Sequence, residues 1–192
     1  CWVTARWVVD GVQPHRDLTI TWQPISLYFK NNPDKDSSRY PWYVRSHNLL
    51  RVMESIRETE ERQSVQRYYW ELGRRIHHDR DFLDFDLSEV LDAVGVDNRH
   101  VAAYEDPSFD EEIRARMDEG IELAGDDIGT PIIAFTDDQG EKVGIFGPVI
   151  TRVLEQEESL KMWDSVVTLT TTSGFWELKR TRKEGPDFGE RP

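Results

Sequence analysis

Two local features, far apart in the chain, constrain the fold more than any other part of the sequence. Cys1 is the only cysteine, and the largely apolar residues 2–9 that follow it predict the start of a mostly buried helix. Far downstream, Thr130-Pro131 leads directly into the apolar residues 132–133, which predict a short strand. The fold must therefore accommodate a cysteine at a helix start and a Thr-Pro step at a strand start.

This pairing is what a reactive thiol site requires. At a helix N-terminus, unpaired N–H groups and the helix dipole favour the thiolate, and the pKa of a cysteine there falls to roughly 3.5–7.5. A cis bond before proline costs only about 0.5–1 kcal/mol, and we expect one between Thr130 and Pro131. Taken singly, a lone cysteine is more often an inert core residue and a Thr-Pro step an ordinary trans turn. Their combination favours thiol chemistry.

The apolar periodicity predicts a mixed series of helices and strands. Alternation with β-branched residues indicates strands, and spacing of three and four residues indicates helices. The predicted elements are a helix over 1–12, a strand over 18–22, helices over 41–61 and 65–76, a short helix from 86 to 95, a helix from a capping box at 108–111 to 125, strands over 131–135 and 142–146 joined by a turn at 137–140, a helix over 149–163, and a short helix in the tail from 174.

With one further strand before Cys1, this order corresponds to an α/β fold of thioredoxin type with a large helical insertion. On this interpretation residues 1–37 are the N-terminal part of the fold. Residues 38–125 are the helical insertion subdomain, and residues 126–192 are the C-terminal part with the Thr-Pro loop, the hairpin and the final helices. The first strand is then missing from this chain, which would begin inside its own thiol motif.

The charge balance excludes several classes of partner. The formal net charge of −13 at pH 7 argues against binding to nucleic acid or to an acidic membrane surface. A single cysteine permits no internal disulfide, which favours a cytoplasmic protein. His77 and His78 are adjacent on a predicted helix and point about 100° apart, so we expect no metal site.

Segments spread along the chain match the motifs of a known enzyme family. They are residues 1–7 as the second half of a Cys-Pro-Trp-Cys-Trp motif, residues 24–27 with Asn31, residues 73–77, residues 125–131 as a cis-proline loop, and the closing segments 146–149, 160–164 and 175–182. These segments resemble DsbA-like proteins, and most of all the mycothiol-dependent nitroreductases. The resemblance covers essentially the whole chain and is weakest over residues 33–70.

The resemblance implies a thiol-disulfide oxidoreductase of DsbA type. Such an enzyme takes electrons from mycothiol, a low-molecular-weight thiol, has no tightly bound cofactor, and reduces disulfides or nitro-aromatic compounds. Cys1 matches the second, resolving cysteine of the motif. Because the attacking cysteine lies before it, we expect this chain by itself to be inactive. The partners are then the small thiol and its substrate, and the protein is a monomer or a homodimer.

The same resemblance implies a set of binding residues. Thr130 and Pro131 would bind the peptide-like portion of the thiol cofactor through the backbone. Asn31, Tyr40 and His77 would line the cleft near the thiols. Trp2, next to the catalytic Cys1 in the motif, completes the set of candidate residues.

Two other functions are compatible with the same fold. One is an isomerase or a glutathione-transferase-kappa-like protein, in which a serine replaces the attacking cysteine and the thiol cofactor is bound but not oxidised. The other is a binding domain that has lost the redox chemistry. The residues immediately before Cys1 discriminate among the three: Cys-Pro-Trp, Ser-Pro-Tyr or neither.

Aromatic side chains in the helical block have two interpretations. Trp42, Tyr43, Tyr68 and Tyr69 are candidates for an aromatic wall that binds substrate. Tryptophan and tyrosine side chains are more often core residues, however.

The charged run over residues 54–62 predicts a solvated helix face, with ion pairs Glu58–Arg62 and Arg57–Glu61. The sequence shows no Ser/His/Asp arrangement that indicates a hydrolase and no phosphate-binding loop.

Overall fold

The computed structural model describes residues 1–137 and 139–192, so Asp138 in the predicted turn lies outside the described residues. Its elements, in chain order, are α1 (Trp2–Arg6), a π-helical turn (Trp7–Val12), a 3₁₀ turn (Gln13–His15), α2 (Leu27–Asn31), α3 (Tyr40–Thr59), α4 (Arg62–His77), α5 (Leu87–Val94), 3₁₀ segments (Asn98–Glu105 and Pro107–Phe109), α6 (Asp110–Ala124), β1 (Ile132–Thr136), β2 (Lys142–Phe146) and α7 (Gln156–Thr171).

The chain divides into two compact units. Unit 1 comprises residues 1–21 and 119–191, and unit 2 comprises residues 22–118 with Pro192. A helix-rich structure with one small sheet is compatible with the predicted α/β class, whereas the thioredoxin type and the boundaries at 37 and 125 stay predictions. No helix among the described residues has both the length and the apolar character needed to span a bilayer.

Unit 1 is built around the π-helical continuation of α1. Trp7 lies against Trp163 of α7 with ring centroids 5.8 Å apart, and its indole Nε1 donates to the Ser159 carbonyl at 3.1 Å. A Cβ built at Gly11 would lie 2.7 Å from Ser159 Oγ, so only glycine allows this close approach of the two helices. The partly buried apolar side chains packed on this core are Leu18, Ile20, Ile133, Ile150, Leu154, Met162, Trp163 and Val166.

The sheet of unit 1 is an antiparallel hairpin. β1 and β2 pair in the register Ile132↔Phe146 to Thr136↔Lys142. The predicted second strand therefore has the right bounds, and the first begins one residue later than predicted. Phe135 in β1 packs edge-on against Trp163, at 5.4 Å between ring centroids, which joins the hairpin to α7.

Three predicted elements are wrong, and for two of them the structure shows contacts with distant segments instead. Residues 18–22 form no strand among the described residues; Leu18 and Ile20 pack on the Trp7 core instead. The final helix begins at Gln156 because the stretch before it bonds elsewhere, with the Thr151 carbonyl accepting from the Asp187 amide at 2.6 Å. The described tail beyond residue 172 contains no helix.

Unit 2 is a helical assembly whose main elements agree with the sequence prediction. α3, α4 and α5 lie close to their predicted ranges. Asp86 caps α5 by accepting from the Ser88 amide, and Gly95 ends it with φ of +68°, the left-handed conformation that glycine adopts without strain. The core residues are Leu49, Val52, Met53, Ile56, Val65, Tyr68, Leu72, Phe85, Val90, Leu91, Val96 and Ala103.

The predicted capping box at Ser108 is wrong. Asp106 is the capping residue, since its carboxylate accepts from the Ser108 amide at 2.9 Å. A 3₁₀ turn, Pro107–Phe109, then leads into α6. The apolar face of α6 is as predicted at Ile113 and Met117, which are buried.

Of the four aromatic candidates, Tyr68 lies in the core and Tyr69 is partly buried against it. Tyr68 is fully buried and donates its hydroxyl to the Leu49 carbonyl at 3.2 Å. Tyr69 packs on Trp22 with ring centroids 4.8 Å apart. Trp42 is 40 % exposed and lies beside Phe82, so it is the candidate that the structure leaves accessible.

Glu54 contradicts the expectation of a solvated charged face. Its side chain is 1 % exposed and forms ion pairs with Arg57 at 3.0 Å and with Arg116 at 2.9 Å. The predicted pairs with residues 61 and 62 do not follow helical spacing, because α3 ends at Thr59 and the next residue, Glu60, is extended. A buried carboxylate between two guanidinium groups joins α3 to α6.

We predict that Glu54→Gln destabilises the protein by about 2–3 kcal/mol, because the buried site beside Arg57 and Arg116 loses its negative charge. The matched control is Glu58→Gln, which removes an exposed carboxylate one turn further along α3 and should change stability by less than about 0.5 kcal/mol. Urea unfolding followed by tryptophan fluorescence measures both. Equal midpoints for the two variants would contradict the structural role of the buried pair.

Candidate functional site

Cys1 lies at the start of α1 as an exposed cysteine without a disulfide. Its carbonyl accepts from the Ala5 amide at 2.8 Å, which makes Cys1 the N-cap residue, and its side chain makes no capping bond. The thiol therefore lies at a solvent-accessible helix start. Its chemical role stays a prediction at this point.

The helix that follows Cys1 is fixed by burial. All five residues of α1 are buried, and Trp2 is only 2 % exposed. The ring of Trp2 thus lies in the interior, where its packing holds α1 in place. Thr4 donates its hydroxyl to the Pro148 carbonyl at 2.9 Å.

Thr130 and Pro131 are half-buried and lie directly before β1 in unit 1. The Thr130–Pro131 bond is cis, as is the Gly147–Pro148 bond. The Pro131 carbonyl accepts from the Gly147 amide at 2.8 Å. Since Thr4 of α1 bonds to Pro148, the Gly147-Pro148 dipeptide connects the helix that carries Cys1 to the Thr130-Pro131 segment. These two segments, predicted from sequence positions far apart, are therefore linked through one dipeptide.

A second anchor on α1 comes from the C-terminal tail. The guanidinium of Arg6 donates to the carbonyls of Phe188 and Glu190 at 2.7 and 2.8 Å, and its Nε pairs with Asp10 at 3.1 Å. Arg6 is 9 % exposed, so this charge is nearly removed from water and its bonds to two carbonyls and one carboxylate satisfy it. The tail thereby fixes the helix that begins at Cys1.

In unit 2, two of the predicted binding residues lie at helix ends. Asn31 is the exposed last residue of α2, and Tyr40 is the first residue of α3. The Tyr40 hydroxyl lies 3.5 Å from the Tyr28 hydroxyl, and this hydrogen bond raises the pKa of Tyr40 above its ordinary value. The Tyr40 hydroxyl therefore remains protonated at neutral pH and can donate a hydrogen bond.

His77, the third predicted binding residue of unit 2, is the half-buried last residue of α4. Burial lowers the pKa of His77 to about 4, and the neighbouring His78 adds to the effect. The imidazole is therefore neutral at pH 7, with one nitrogen able to accept a hydrogen bond and the other able to donate one.

The structure contains a buried polar network that the sequence analysis missed. Ser26 Oγ lies 3.0 Å from His47 Nδ1, and His47 Nε2 lies 3.0 Å from Asp110. Arg51 binds both oxygens of Asp110, at 2.7 and 2.9 Å. Ser26 is fully buried, so this Ser–His–Asp arrangement does not expose a nucleophile to a substrate.

Burial sets the protonation states within this network. Desolvation lowers the pKa of His47. The negative charge of Asp110 raises this pKa, and the positive charge of Arg51 offsets part of that increase. Burial alone would raise the pKa of Asp110, but hydrogen bonds and charge from Arg51 and His47 hold it below its ordinary value. The network is therefore an arginine–carboxylate pair joined to a neutral imidazole and a hydroxyl.

The only sequence signal for this network was local. Ser26 before an apolar run is typical of a helix N-cap. Nothing in the spacing of His47 and Asp110 relates either residue to Ser26, because the contacts depend on how α3 and α6 pack.

No group of three or more His, Cys, Asp or Glu side chains in residues 1–137 and 139–192 is arranged to hold a metal ion.

One comparison assigns the chain to a family. The family model described as Rv2466c-like, mycothiol-dependent nitroreductase Rv2466c, matches residues 1–180. The match covers most of the chain. An exposed cysteine at a helix start in an α/β chain is also what a thiol oxidoreductase is expected to have. The chain belongs to this mycothiol-dependent nitroreductase family. The family resemblance read from the sequence is thus confirmed, while its broader DsbA-type relation stays a prediction.

We predict that His77 makes stability depend on pH. Because its folded-state pKa of about 4 lies below the value of about 6.5 in an unfolded chain, the unfolded state binds the proton more readily in between. Stability should be full above about pH 6.5 and decline as the pH falls towards 4. Since His77 is partly solvated, we expect its share at pH 5 to be about 1 kcal/mol.

The measurement is urea unfolding at pH 7.5 and pH 5 for wild type and His77→Gln. The variant should lose less stability on acidification than wild type does. His15→Gln, a substitution of an exposed histidine, is the control and should leave the wild-type dependence unchanged. An unaltered pH dependence in His77→Gln would show that His77 is not protonated preferentially in the unfolded chain.

Proposed function

We propose that the protein is a thiol-disulfide oxidoreductase of DsbA type that takes electrons from mycothiol and reduces disulfides or nitro-aromatic compounds. The observation that supports it best is the exposed Cys1 at the start of α1, a helix tied through Gly147-Pro148 to the Thr130-Pro131 segment. The family match over residues 1–180 supports the same chemistry independently of that geometry.

In this proposal Cys1 is the resolving cysteine of a dithiol cycle, and the family resemblance implies that the attacking thiol is the first cysteine of the Cys-Pro-Trp-Cys motif. The attacking thiolate forms a mixed disulfide with one half of the substrate disulfide and releases the other half as a thiol. Cys1 then displaces the bound half as the second thiol by forming an internal disulfide. Two mycothiol thiols then reduce that disulfide and become one mycothiol disulfide. With a nitro-aromatic acceptor, the same two electrons and two protons convert the nitro group to a nitroso group and water.

The binding residues are proposed in two groups. Thr130 and Pro131 offer backbone groups to the peptide-like portion of the thiol cofactor. Asn31, Tyr40 and His77 supply an amide, a protonated hydroxyl and a neutral imidazole as hydrogen-bonding groups for cofactor binding. Trp2, buried in α1, would support the helix and not contact the cofactor directly.

We further propose that the fold is of thioredoxin type with residues 38–125 as its helical insertion, and that the protein works in the cytoplasm. The β1–β2 hairpin that starts after Pro131 and the packing of α7 on both it and the first helix support the fold proposal. The presence of a single cysteine in the chain supports the reducing compartment.

The test is Cys1→Ser in the protein as its complete gene encodes it. We expect a loss of at least about 100-fold in kcat/KM for mycothiol-dependent reduction of a model disulfide, because a serine cannot resolve the mixed disulfide. Ser173→Ala, an exposed substitution in the same unit, is the control and should leave kcat/KM unchanged. Glutathione in place of mycothiol tests donor selectivity.

Wild-type rates in Cys1→Ser would reject Cys1 as the resolving residue. Binding of mycothiol by wild type without any oxidation of it would instead indicate the glutathione-transferase-kappa-like alternative. Neither binding nor turnover would indicate a redox-inactive domain.

A further inference from the structure

Helix α2 is too short to be stable without help. It has five residues, Leu27–Asn31, and a helix of this length gains too few hydrogen bonds to offset the cost of its first turn. Its first turn is held by Ser26, whose Oγ accepts from the Phe29 amide at 3.1 Å. What fixes Ser26 therefore fixes α2.

Ser26 is fixed by a chain of directional bonds that ends in an ion pair. Arg51 binds Asp110 with two hydrogen bonds, at 2.7 and 2.9 Å. With Asp110 ionised, His47 Nε2–H donates to it at 3.0 Å, so His47 Nδ1 is left as an acceptor for the Ser26 hydroxyl, also at 3.0 Å. The Ser26 oxygen then accepts the Phe29 amide, and each buried polar atom in the series has a partner.

The imidazole of His47 also packs directly against α2. The rings of Phe29 and Tyr28 lie 4.4 and 5.4 Å from it, the second in a stacked orientation. On its other side Phe29 is covered by the Arg114 guanidinium, 3.6 Å from the ring centroid. Hydrogen bonding through Ser26 and ring packing therefore both hold α2 against the imidazole of His47.

Two proposed cofactor-binding groups depend on this short helix. Asn31 is its last residue, and Tyr28 on its first turn is the hydrogen-bonding partner of Tyr40. A shift of α2 moves Asn31 and breaks the 3.5 Å contact between the two hydroxyls.

We propose that His47 is a positioning residue that acts through Ser26 to hold α2, and thereby Asn31 and the Tyr28–Tyr40 pair, in the arrangement that binds the thiol cofactor. This inference rests on the proposed function. The inference assigns a role to His47, which takes no part in the redox steps and is only 3 % exposed.

A second buried histidine, in the 3₁₀ segment Asn98–Glu105, offers a matched control. His100 is also buried, at 2 % exposure, and its ring lies 2.8 Å from Ser55 Oγ and 3.3 Å from Glu60. It forms a Ser–His–carboxylate series of the same composition, but its partners lie at the C-terminal end of α3. Substitution there removes an equivalent buried imidazole without touching the cap of α2.

The experiment compares His47→Gln, Ser26→Ala and His100→Gln in the protein as its complete gene encodes it. Amide hydrogen exchange of Phe29 and Lys30 reports on α2 and requires no substrate; steady-state kinetics with mycothiol gives KM and kcat separately. We expect His47→Gln and Ser26→Ala to speed exchange at both amides by about fivefold or more. We expect the KM for mycothiol to rise about fivefold, with kcat within about twofold of wild type.

His100→Gln should lower overall stability but leave α2 exchange and the KM as in wild type. Unchanged exchange in Ser26→Ala and His47→Gln overturns the inference whatever the kinetics show. So does faster α2 exchange with a wild-type KM, or an equal rise in KM in His100→Gln. Absence of mycothiol turnover by wild type overturns the proposed function instead, and it is recognised separately because the exchange measurement needs no substrate.

Discussion

Buried charges that must be paired determine how α3 is held in unit 2. A carboxylate or guanidinium taken out of water is tolerated only where a partner and hydrogen bonds replace its hydration. α3 presents Glu54 to Arg116 and Arg51 to Asp110, and both connections run to α6. The apolar core supplies most of the driving force for folding, but it is non-directional. The ion pairs specify which face of α3 meets α6, and the His47 network extends that specification to α2.

In unit 1 the equivalent constraint is a set of bonds to backbone carbonyls. Thr4 and Arg6 on the first helix bind the carbonyls of Pro148, Phe188 and Glu190, while the Gly147 amide binds the Pro131 carbonyl. These segments are distant in sequence, so the helix that begins at Cys1 is held from two sides by irregular chain. The tail residues that bind Arg6 lie beyond the 1–180 region that the family model matches. This anchor is therefore a feature of this chain that the family match does not describe.

Sequence signals were reliable for elements whose contacts lie close together in the chain. The cap of α5 between Asp86 and Gly95, the range of β2 and the long helix α3 follow from short-range chemistry and were predicted from it. Features that depend on residues far apart in the chain could not be predicted from short-range signals. The burial of Glu54 requires the arginine of α6, and the network at His47 requires three separate segments. Of the candidate site, the exposed cysteine at a helix start and its proline segment were evident in the sequence, whereas the side chains that position α2 were not.

The tautomer of one imidazole tests the central claim of this account most directly. If His47 relays the Arg51–Asp110 pair to Ser26, nitrogen NMR of the labelled protein should show at pH 7 a neutral His47 ring with its proton on Nε2 and an accepting Nδ1. Because burial lowers the pKa of His47, that state should persist below the ordinary value of about 6.5. A proton on Nδ1, or a charged ring at pH 7, would contradict the relay and with it the positioning of α2.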